Sequence, residues 1–330
     1  MINIIRSGNK GSYKYKYPDG KEVKDKEILE YIKKLVIPPN YKNITIFYEK
    51  NGEPKILYQG YDSKNRLQRI YSPSWNLKAS KRKFCELLNF SLQVHNIINK
   101  IEKLLSSNKN SKNKTIATVL KLVMLCYIRI GNKKYLDLYG SHGAMNLKKK
   151  HILKNDDSYY IEFKGKKGVI NSCNVYDKKF LKELDIRLKK LKDDDFAFTY
   201  NNKLLKAIDI NNWLKGFDPV ITSKIFRTYD ANIFLIKYLK NNPNPIQLLV
   251  NEKKKIVVKA LKEISSIIHN TPSILKKNYT QGGIIDMYIN QSNRFNRYFY
   301  NKDHPRFSLI NYLNDYCKDY ITEKKRLIKE

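Results

Sequence analysis

Alternating apolar and polar residues dominate the first 75 residues and predict a small, mostly β domain. The segments SYKYKYPDGKEV and ITIFYEKNGEPKILYQGY alternate around Asp19-Gly20 and Asn51-Gly52, the pattern of β-hairpins. Between them, DKEILEYIKKLV has the spacing of a short amphipathic helix that Pro38-Pro39 would end. RLQRIYS then continues the strand pattern. A domain over residues 1–75 is therefore predicted.

Beyond residue 80, apolar residues recur three and four positions apart, which predicts helices. TIATVLKLVMLCYIRIG is expected to be a core helix with Arg129 near its end. One strand pair, SYYIEFKG and VINSCNVY joined through GKKG, interrupts the helical pattern. Ser72–Ser80 is predicted to be a linker, and the residues from Gly282 onward a polar, basic tail with aromatics at Tyr298, Phe299 and Tyr300. The predicted fold is α+β, with a mainly helical domain over residues 76–330.

Charge adds a partner to this picture. The 330 residues include 65 Lys and Arg against 31 Asp and Glu, a formal net charge of +34. Such an excess repels itself unless a polyanion shares it, so it indicates a nucleic-acid partner. A generally basic proteome rich in Lys, Asn, Ile and Tyr is the competing explanation. Tyrosines such as Tyr13, Tyr15 and Tyr17 alternate with lysines in the first domain, which suits a nucleic-acid surface or, equally, a tyrosine-rich β core.

Other classes are disfavoured. Cys85, Cys126, Cys173 and Cys317 are widely spaced without a CxxC pair, so neither a zinc site nor a disulfide framework is expected. Free thiols in a reducing compartment are predicted instead. No apolar run approaches membrane-spanning length, so a soluble, intracellular protein without a membrane partner is expected. There is no GxxxxGK[ST] phosphate loop and no acidic metal cluster, so no nucleotide cofactor and no metal are expected.

The segment SSIIHNTPSILKKNY, residues 265–279, is the strongest candidate for chemistry. An apolar helix runs into His269-Asn270-Thr271-Pro272, and the proline must break it. Thr271 suits the cap of a following helix with Pro272 at its first position. The result would be one tyrosine, Tyr279, on a short basic helix close to a side-chain amide.

Three other basic segments contain residues that could act together with this tyrosine. Arg129 closes an apolar helix, where a salt bridge or an exposed head is the ordinary explanation and a grip on phosphate the functional one. Lys166 lies in the hairpin turn, where lysines are usually solvated but a mobile one can deliver a proton. Lys224 and Arg227 fall on one helical face, which alone is an ordinary solvated surface.

The order of these segments resembles the active-site order of type IB DNA topoisomerases, in the compact poxvirus-like branch of large DNA viruses and some bacteria. The order is Arg, Lys, Lys-x-x-Arg, Asn-Thr-Pro and Tyr. The resemblance spans most of the chain and includes VIPPNYKNITIFYE, GYDSKNR-Q--Y, IR-G--KYL, LKKKHI, F-GKKG, RTY and NTPSI-KK-Y. Each fragment alone is common, whereas the full ordered set is highly specific.

The resemblance implies a role for each residue. Tyr279 would attack a backbone phosphorus and form a 3′-phosphotyrosyl bond, which stores the phosphodiester energy, so religation needs no ATP. Arg129 and Arg227 would stabilise the negative charge of the transition state. Lys166 would protonate the leaving 5′-oxygen, the work of a general acid. The enzyme would be a monomer that clamps duplex DNA and relaxes positive and negative supercoils, in the virion or host-cell cytoplasm of a large DNA virus.

Two positions depart from the poxvirus pattern. The family has histidine just before Thr-Pro, nine residues before the tyrosine; here Asn270 has that spacing and His269 is one residue too early. Asn270 is therefore the expected catalytic amide, and His269→Ala is expected largely to spare cleavage. On the matching strand, Gln68 and Tyr71 follow the family, but Arg69 stands where a tyrosine would. The poxvirus cleavage-site preference is therefore not carried over.

The residues expected to bind DNA are Lys64, Arg66, Gln68, Arg69, Tyr71, Lys133, Lys134, Lys167 and Lys224. Two alternatives remain. A tyrosine site-specific recombinase shares the helical catalytic domain, but typically shows His-x-x-Arg where this chain has Lys224 and Arg227. A non-enzymatic basic DNA-binding protein would explain the charge but not the ordered Arg, Lys, Arg, Asn, Tyr series.

Overall fold

The chain divides into two compact units, Met1–Lys83 and Phe84–Glu330. Residues 1–9, 11–300 and 304–329 are described here by a computed structural model, with side chains described as far as residue 322. The first unit has an antiparallel sheet and the second is mainly helical, which confirms the predicted α+β fold. No helix within the described ranges is long and apolar enough to cross a membrane.

The first unit is built on a five-stranded antiparallel sheet with the strand order β2-β1-β3-β4-β5. The pairing of β3 with β4 confirms the hairpin around Asn51-Gly52. The hairpin around Asp19-Gly20 is short. Lys16 forms a bridge with Glu22, and the Tyr17 and Val23 backbone amides donate to the Lys21 and Tyr15 carbonyls, while the other edge of β2 pairs with β1. The predicted helix α1 is confirmed. The bounds are β1 Ile2–Ser7, β2 Lys14–Lys16, α1 Lys26–Lys34, β3 Lys42–Tyr48, β4 Ile56–Tyr61 and β5 Leu67–Tyr71.

Tyrosines belong largely to the core of this unit. Tyr48 and Tyr58 are buried in it, and Tyr15 and Tyr17 pack against it while the neighbouring Lys14 and Lys16 are exposed. Tyr13 lies under a guanidinium instead, with Arg6 Cζ 4.2 Å from its ring centroid. The alternation of tyrosine and lysine along β2 therefore reflects packing on one face of the sheet.

The predicted linker is wrong, because residues 73–80 form the start of a long helix, α2, Pro73–Leu105. Proline at the first helical position lacks only an amide hydrogen that would have no partner there. The Ser72 hydroxyl accepts a hydrogen bond from the Trp75 amide at 3.2 Å and caps the helix. A serine followed by proline can start a helix or belong to a linker, and the sequence pattern alone does not distinguish these two cases.

The second unit consists of helices around one core, with a three-stranded antiparallel sheet in the order β6-β7-β8 and a small two-stranded sheet. Strands β7 and β8 confirm the predicted strand pair. The further helices are α3 Lys112–Cys126, α4 Lys133–Tyr139, α5 Lys178–Leu188, α6 Ala207–Lys215, α7 Ile225–Lys240, α8 Val250–Ile267, α9 Pro272–Asn278, α10 Gly282–Asn290, α11 Ser292–Phe295 and α12 Pro305–Lys329. The strands are β6 Ile152–Lys154, β7 Tyr159–Lys164, β8 Ile170–Val175, β9 Thr199–Tyr200 and β10 Lys203–Leu204.

The predicted core helix is α3, but it ends earlier than expected. Tyr127 adopts a left-handed conformation (φ 54°) and closes the helix after Cys126. Arg129 therefore does not lie on a helix but in the segment between α3 and α4. Tyrosine rarely takes this conformation, so Gly131 is the first helix stop signal that can be recognised from sequence.

The prediction of free thiols is wrong as well. Cys85 pairs with Cys317 and Cys126 with Cys173, with Cα atoms 5.6 Å apart in both pairs. The first pair joins α2 to α12 and the second joins the end of α3 to β8. Sequence spacing could not reveal the pairs, because partners separated by 232 and 47 residues meet only through the fold.

The described part of the predicted tail after Gly282, residues 283–300 and 304–329, is folded. It forms α10 to α12 and contributes buried side chains to the core of the second unit: Ile284, Tyr288, Phe295, Phe299, Leu309, Leu313 and Cys317. Its apolar residues are diluted by Asn, Lys and Arg on the exposed faces, which hid the helical period.

Candidate active site

Tyr279 directly follows the short helix α9. The Thr271 side chain accepts from the Ile274 amide and Pro272 occupies the first position, so the predicted cap and helix start are confirmed. The Tyr279 amide donates to the Leu275 carbonyl at 2.9 Å, which fixes its backbone to the helix. Only 6% of Tyr279 is exposed, so its ring is packed among other side chains.

Two guanidinium groups converge on the Tyr279 hydroxyl. Arg227 Nη1 donates to it at 3.0 Å, and Arg129 Nη2 lies 3.4 Å away. The Arg227 guanidinium also lies over the tyrosine ring, 4.9 Å from its centroid, and its Nη2 donates to the Ile268 carbonyl. Arg227 is 3% exposed, so the interpretation as a solvated basic face does not hold for it.

The electrostatics of this contact favour a phenolate. Burial by itself raises the pKa of Tyr279, but the charges of Arg227 and Arg129 and the Arg129 hydrogen bond outweigh it, so the pKa lies below its ordinary value. Burial and the charge of Arg129 in turn lower the pKa of Arg227. A tyrosine that loses its proton more readily is a better nucleophile at neutral pH, so this arrangement can support nucleophilic chemistry.

Arg129 is held by its backbone rather than by a helix. Its carbonyl accepts from the Ala144 amide, and the Ile130 carbonyl accepts from the Met145 amide, both at 2.8 Å. This close approach requires glycine at position 143, because a Cβ there would lie 2.4 Å from the Gly131 nitrogen. The turn after Arg129 and the loop at residues 143–145 therefore lock together and place the guanidinium.

Asn270 lies at the end of α8 and joins the same cluster. Arg129 Nη2 donates to Asn270 Oδ1 at 3.0 Å. A guanidinium can only donate, so this contact fixes the amide with its oxygen toward Arg129. No described residue provides an acceptor for the buried atoms Asn270 Nδ2 and Arg227 Nε, which leaves two donors open in the site.

Lys166 lies at the tip of the β7–β8 hairpin, in a turn that runs through Lys167 (φ 63°) and Gly168 (φ 79°). It is exposed, and within the described part of the chain its side chain makes no hydrogen bond or ion pair. Partial desolvation, followed by the charge of Arg129, lowers the pKa of Lys166, while Tyr279 acts in the opposite direction. An unpaired amine with a lowered pKa can give up a proton more easily than an ordinary lysine.

Sequence reasoning missed Asn232, which is fully buried on α7 five residues after Arg227. Its Nδ2 donates to the Tyr279 carbonyl at 2.9 Å and to the Thr228 carbonyl at 2.7 Å, and its Oδ1 accepts from the Gln281 amide at 2.8 Å. One side chain thus grips the backbone on both sides of Tyr279. The available signal was an asparagine inside an apolar helix, which is a poor helix former without such partners.

The other expected DNA-binding residues of the second unit are at the surface. Lys134, Lys167 and Lys224 are exposed, and Lys133 is exposed with an ion pair to Asp137 at 3.2 Å. The charge of Lys224 also contributes to the lowered pKa of Tyr279. Helix α4, which carries Lys133 and Lys134, has no buried residue and so lies on the surface.

In the first unit, Asp62 organises part of the expected DNA-binding strand. Its carboxylate accepts from Arg66 Nε and from Gln68 Nε2, both at 2.9 Å, and the Arg66 bond chiefly lowers its pKa to about 2. Gln68 pairs across the sheet with Gly60, and Arg69 with Gln59, so the two side chains leave opposite faces of β5. Lys64 lies in the turn before β5, and Tyr71 is its last residue. The expected residues therefore do not form one flat surface.

Comparison with known proteins agrees with this arrangement. Residues 72–302 match the family described as eukaryotic DNA topoisomerase I, catalytic core, and residues 12–62 match the bacterial DNA topoisomerase IB N-terminal domain. DNA topoisomerase 1B of Acanthamoeba polyphaga mimivirus is 28% identical over 96% of this chain and 96% of its own length. DNA topoisomerase 1 of rabbit fibroma virus is 28% identical over 86% and 91%, and DNA topoisomerase 1B of vaccinia virus (strain Copenhagen) is 28% identical over 79% and 81%.

The chain therefore belongs to the DNA topoisomerase I family, whose catalytic core covers most of it. The N-terminal match and the viral relatives narrow the class, and the enzyme is a DNA topoisomerase of type IB.

Proposed function

We propose that this topoisomerase relaxes positively and negatively supercoiled duplex DNA by transient cleavage of one strand through a 3′-phosphotyrosyl bond to Tyr279, without ATP or metal. The observation that carries the proposal is the contact of the Tyr279 hydroxyl with two guanidinium groups, at 3.0 Å from Arg227 and 3.4 Å from Arg129. This contact lowers the pKa of the nucleophile and concentrates positive charge where a phosphate must bind.

Cleavage forms the bond from Tyr279 Oη to phosphorus and breaks the bond from phosphorus to the 5′-oxygen. Negative charge grows on the non-bridging oxygens, so donors fixed in advance stabilise the transition state. Arg129 and Arg227 supply charged donors and Asn270 Nδ2 a neutral one. The support for Asn270 is that its donor is buried without a partner among the described residues, a costly state that a phosphate oxygen would relieve.

Lys166 is the proposed general acid, which gives its proton to the leaving 5′-oxygen and takes it back on religation. Its lowered pKa and its place on an exposed hairpin tip support this role. Since the covalent intermediate keeps the phosphodiester energy, religation is the reverse of the same steps.

The protein is proposed to bind duplex DNA as a monomer and through both units. The first unit would bind through Lys64, Arg66, Gln68, Arg69 and Tyr71, and the second through Lys133, Lys134, Lys167 and Lys224. The net charge of +34 supports a polyanionic partner. The viral relatives support an origin in a large DNA virus.

The test is relaxation of negatively and positively supercoiled plasmid in EDTA without ATP, with Tyr279→Phe as the matched variant. The wild type is expected to relax both substrates and to leave a covalent protein–DNA adduct when trapped with detergent, and the variant to do neither. No relaxation by the wild type at any salt concentration would overturn the proposal. Recombined products would favour the recombinase, and binding without nicking a passive DNA-binding protein.

A further inference from the structure

Helix α8 ends in a tight turn that carries His269 and Asn270. The backbone amide of Asn270 donates to the Ser265 carbonyl at 2.8 Å, and the backbone amide of His269 donates to the Ser266 carbonyl at 3.3 Å. His269 has a φ of 53°. These two bonds, with the left-handed His269 just past the helix end, define the Schellman motif. Its left-handed position is usually occupied by glycine.

A histidine at this position is unfavourable for the backbone, because a Cβ crowds the carbonyl in the left-handed conformation. Asn270 comes directly after His269, so the turn sets the direction in which the Asn270 side chain points. A residue that strains the turn needs a compensating contact, and the His269 side chain has one.

The His269 imidazole reaches across to the end of α3. Its Nε2 lies 3.1 Å from the carbonyl of Cys126, the last residue of that helix. Carbonyls at a helix end lack a partner within the helix and carry its partial negative charge, so they attract a donor. A carbonyl only accepts, so Nε2 carries the proton. Arg129 follows Cys126 by three residues, so the bond ties His269 to the segment that carries Arg129.

The ends of α3 and α8 are therefore joined twice, by His269 to Cys126 and by Arg129 to Asn270 at 3.0 Å. We infer that His269 is a positioning residue for DNA cleavage: its imidazole fixes the end of α8 to the end of α3 and so holds the Asn270 amide against Arg129, with Nδ2 left for phosphate. The inference rests on the proposed function and adds a residue that touches neither the tyrosine nor DNA.

A direct acid–base role for His269 does not fit its surroundings. Burial lowers the pKa of His269, and the charges of Arg227 and Arg129 lower it further against the Cys126 hydrogen bond, so the ring is neutral at neutral pH. Its proton is committed to Cys126. The inference replaces the expectation from sequence that His269→Ala largely spares cleavage.

The experiment measures single-turnover formation of the covalent adduct, at saturating protein, on a duplex whose leaving strand dissociates after cleavage. His269→Gly removes the imidazole and relieves the left-handed strain, so its melting temperature is expected to stay close to that of the wild type while cleavage slows about fivefold, the worth of one neutral hydrogen bond. His269→Gln, which keeps a donor, is expected to recover part of the rate. Asn202→Gly, which replaces another left-handed residue (φ 58°) in the β9–β10 turn, is the control for strain relief and is expected to cleave normally.

A double-mutant cycle separates positioning from a general structural effect. If His269 acts through Asn270, His269→Gly has no further effect in the Asn270→Ala background, because the amide that it positions is gone. A loss of fold would slow both backgrounds equally and would lower the melting temperature.

The outcomes are distinct. A wild type that forms no adduct overturns the proposed function itself. An active wild type with His269→Gly at the same rate overturns the inference alone. Equal slowing by His269→Gly with and without Asn270 also overturns it, because the residue would then act elsewhere. Slowing that disappears in the Asn270→Ala background and is partly reversed in His269→Gln supports it.

Discussion

The two sides of the candidate active site are built in opposite ways. The tyrosine side, Arg227, Asn232 and Tyr279, is at most 6% exposed and its members bond to one another's side chains or backbone. The lysine side, the hairpin tip with Lys166, is exposed, and its amine makes no hydrogen bond or ion pair in the described part of the chain. Arg129 interacts with both, through a hydrogen bond to Tyr279 and through its charge on Lys166.

This difference separates two requirements of the reaction. The nucleophile must be oriented and must lose its proton, and a packed, charged site orients it and lowers its pKa before substrate binds. The acid must meet an oxygen that arrives only with DNA, so a lysine on an exposed hairpin suits it better than a buried one. Substitutions on the tyrosine side should therefore alter the folded protein as well as the rate, and substitutions of Lys166 should alter the rate alone.

Arg227 should show the largest effect. Arg227→Ala removes a charged donor from the Tyr279 hydroxyl and opens a buried space, so adduct formation should fall about a thousandfold or more. Arg227→Lys should recover little, because an ammonium cannot donate both to the hydroxyl and to the Ile268 carbonyl in the same planar geometry. The measurement is single-turnover cleavage with a parallel thermal melt. Lysine at the wild-type rate would show that charge alone matters.

Lys166 should come next, with cleavage in Lys166→Ala slowed about a hundredfold, within the usual range for general acids, and with an unchanged melting temperature. A substrate with sulfur in place of the bridging 5′-oxygen leaves without a proton, so the variant should cleave it nearly as fast as the wild type does. Failure of this substrate to restore the rate would remove the acid role.

The pH profile gives a second view of Lys166. Adduct formation should rise with pH as Tyr279 ionises. The rise should lie at a pH below the ordinary pKa of tyrosine, because the charges of Arg227 and Arg129 outweigh the effect of burial on the pKa of Tyr279. Adduct formation should fall again at higher pH as Lys166 loses its proton. This fall should also lie below the ordinary pKa of lysine, because desolvation and the charge of Arg129 lower the pKa of Lys166. The falling limb should be absent in Lys166→Ala, and its persistence there would assign it to another group.

Residues that are restricted by the chemistry could be predicted from the sequence, whereas residues that act through local contacts could not. Arg129, Lys166, Arg227, Asn270 and Tyr279 are predicted from the resemblance of their order and spacing to type IB topoisomerases, whose chemistry restricts the residue type at each position. Asn232 was missed, since its work is to bond backbone atoms that a sequence does not locate. The end of α3 at Tyr127 and the start of α2 at Pro73 were misjudged for a related reason: a left-handed tyrosine and a serine cap depend on local contacts rather than on hydrophobic period.

Asn232 tests the tyrosine side without removing a reacting group. Asn232→Ala leaves the Tyr279 carbonyl and the Gln281 amide without their buried partner, which should cost about 1–3 kcal/mol of stability and slow cleavage by tens-fold. Asn232→Asp keeps the acceptor for Gln281 but loses both donated bonds, so it should be no better. A normal melt together with normal cleavage would show that the helix α9 alone places the tyrosine.

Among the residues proposed to contact the phosphate, Asn270 should give the smallest effect, because its donor is neutral while the arginines are charged. Asn270→Ala should slow adduct formation about tenfold. Asn270→Asp is the sharper variant: its carboxylate still accepts from Arg129, as Oδ1 does at 3.0 Å, but it offers phosphate no donor and adds a negative charge. It should therefore cleave more slowly than alanine although the contact with Arg129 remains. If aspartate matched asparagine in single-turnover cleavage, Asn270 would act only by holding Arg129, and the open Nδ2 would have no part in the reaction.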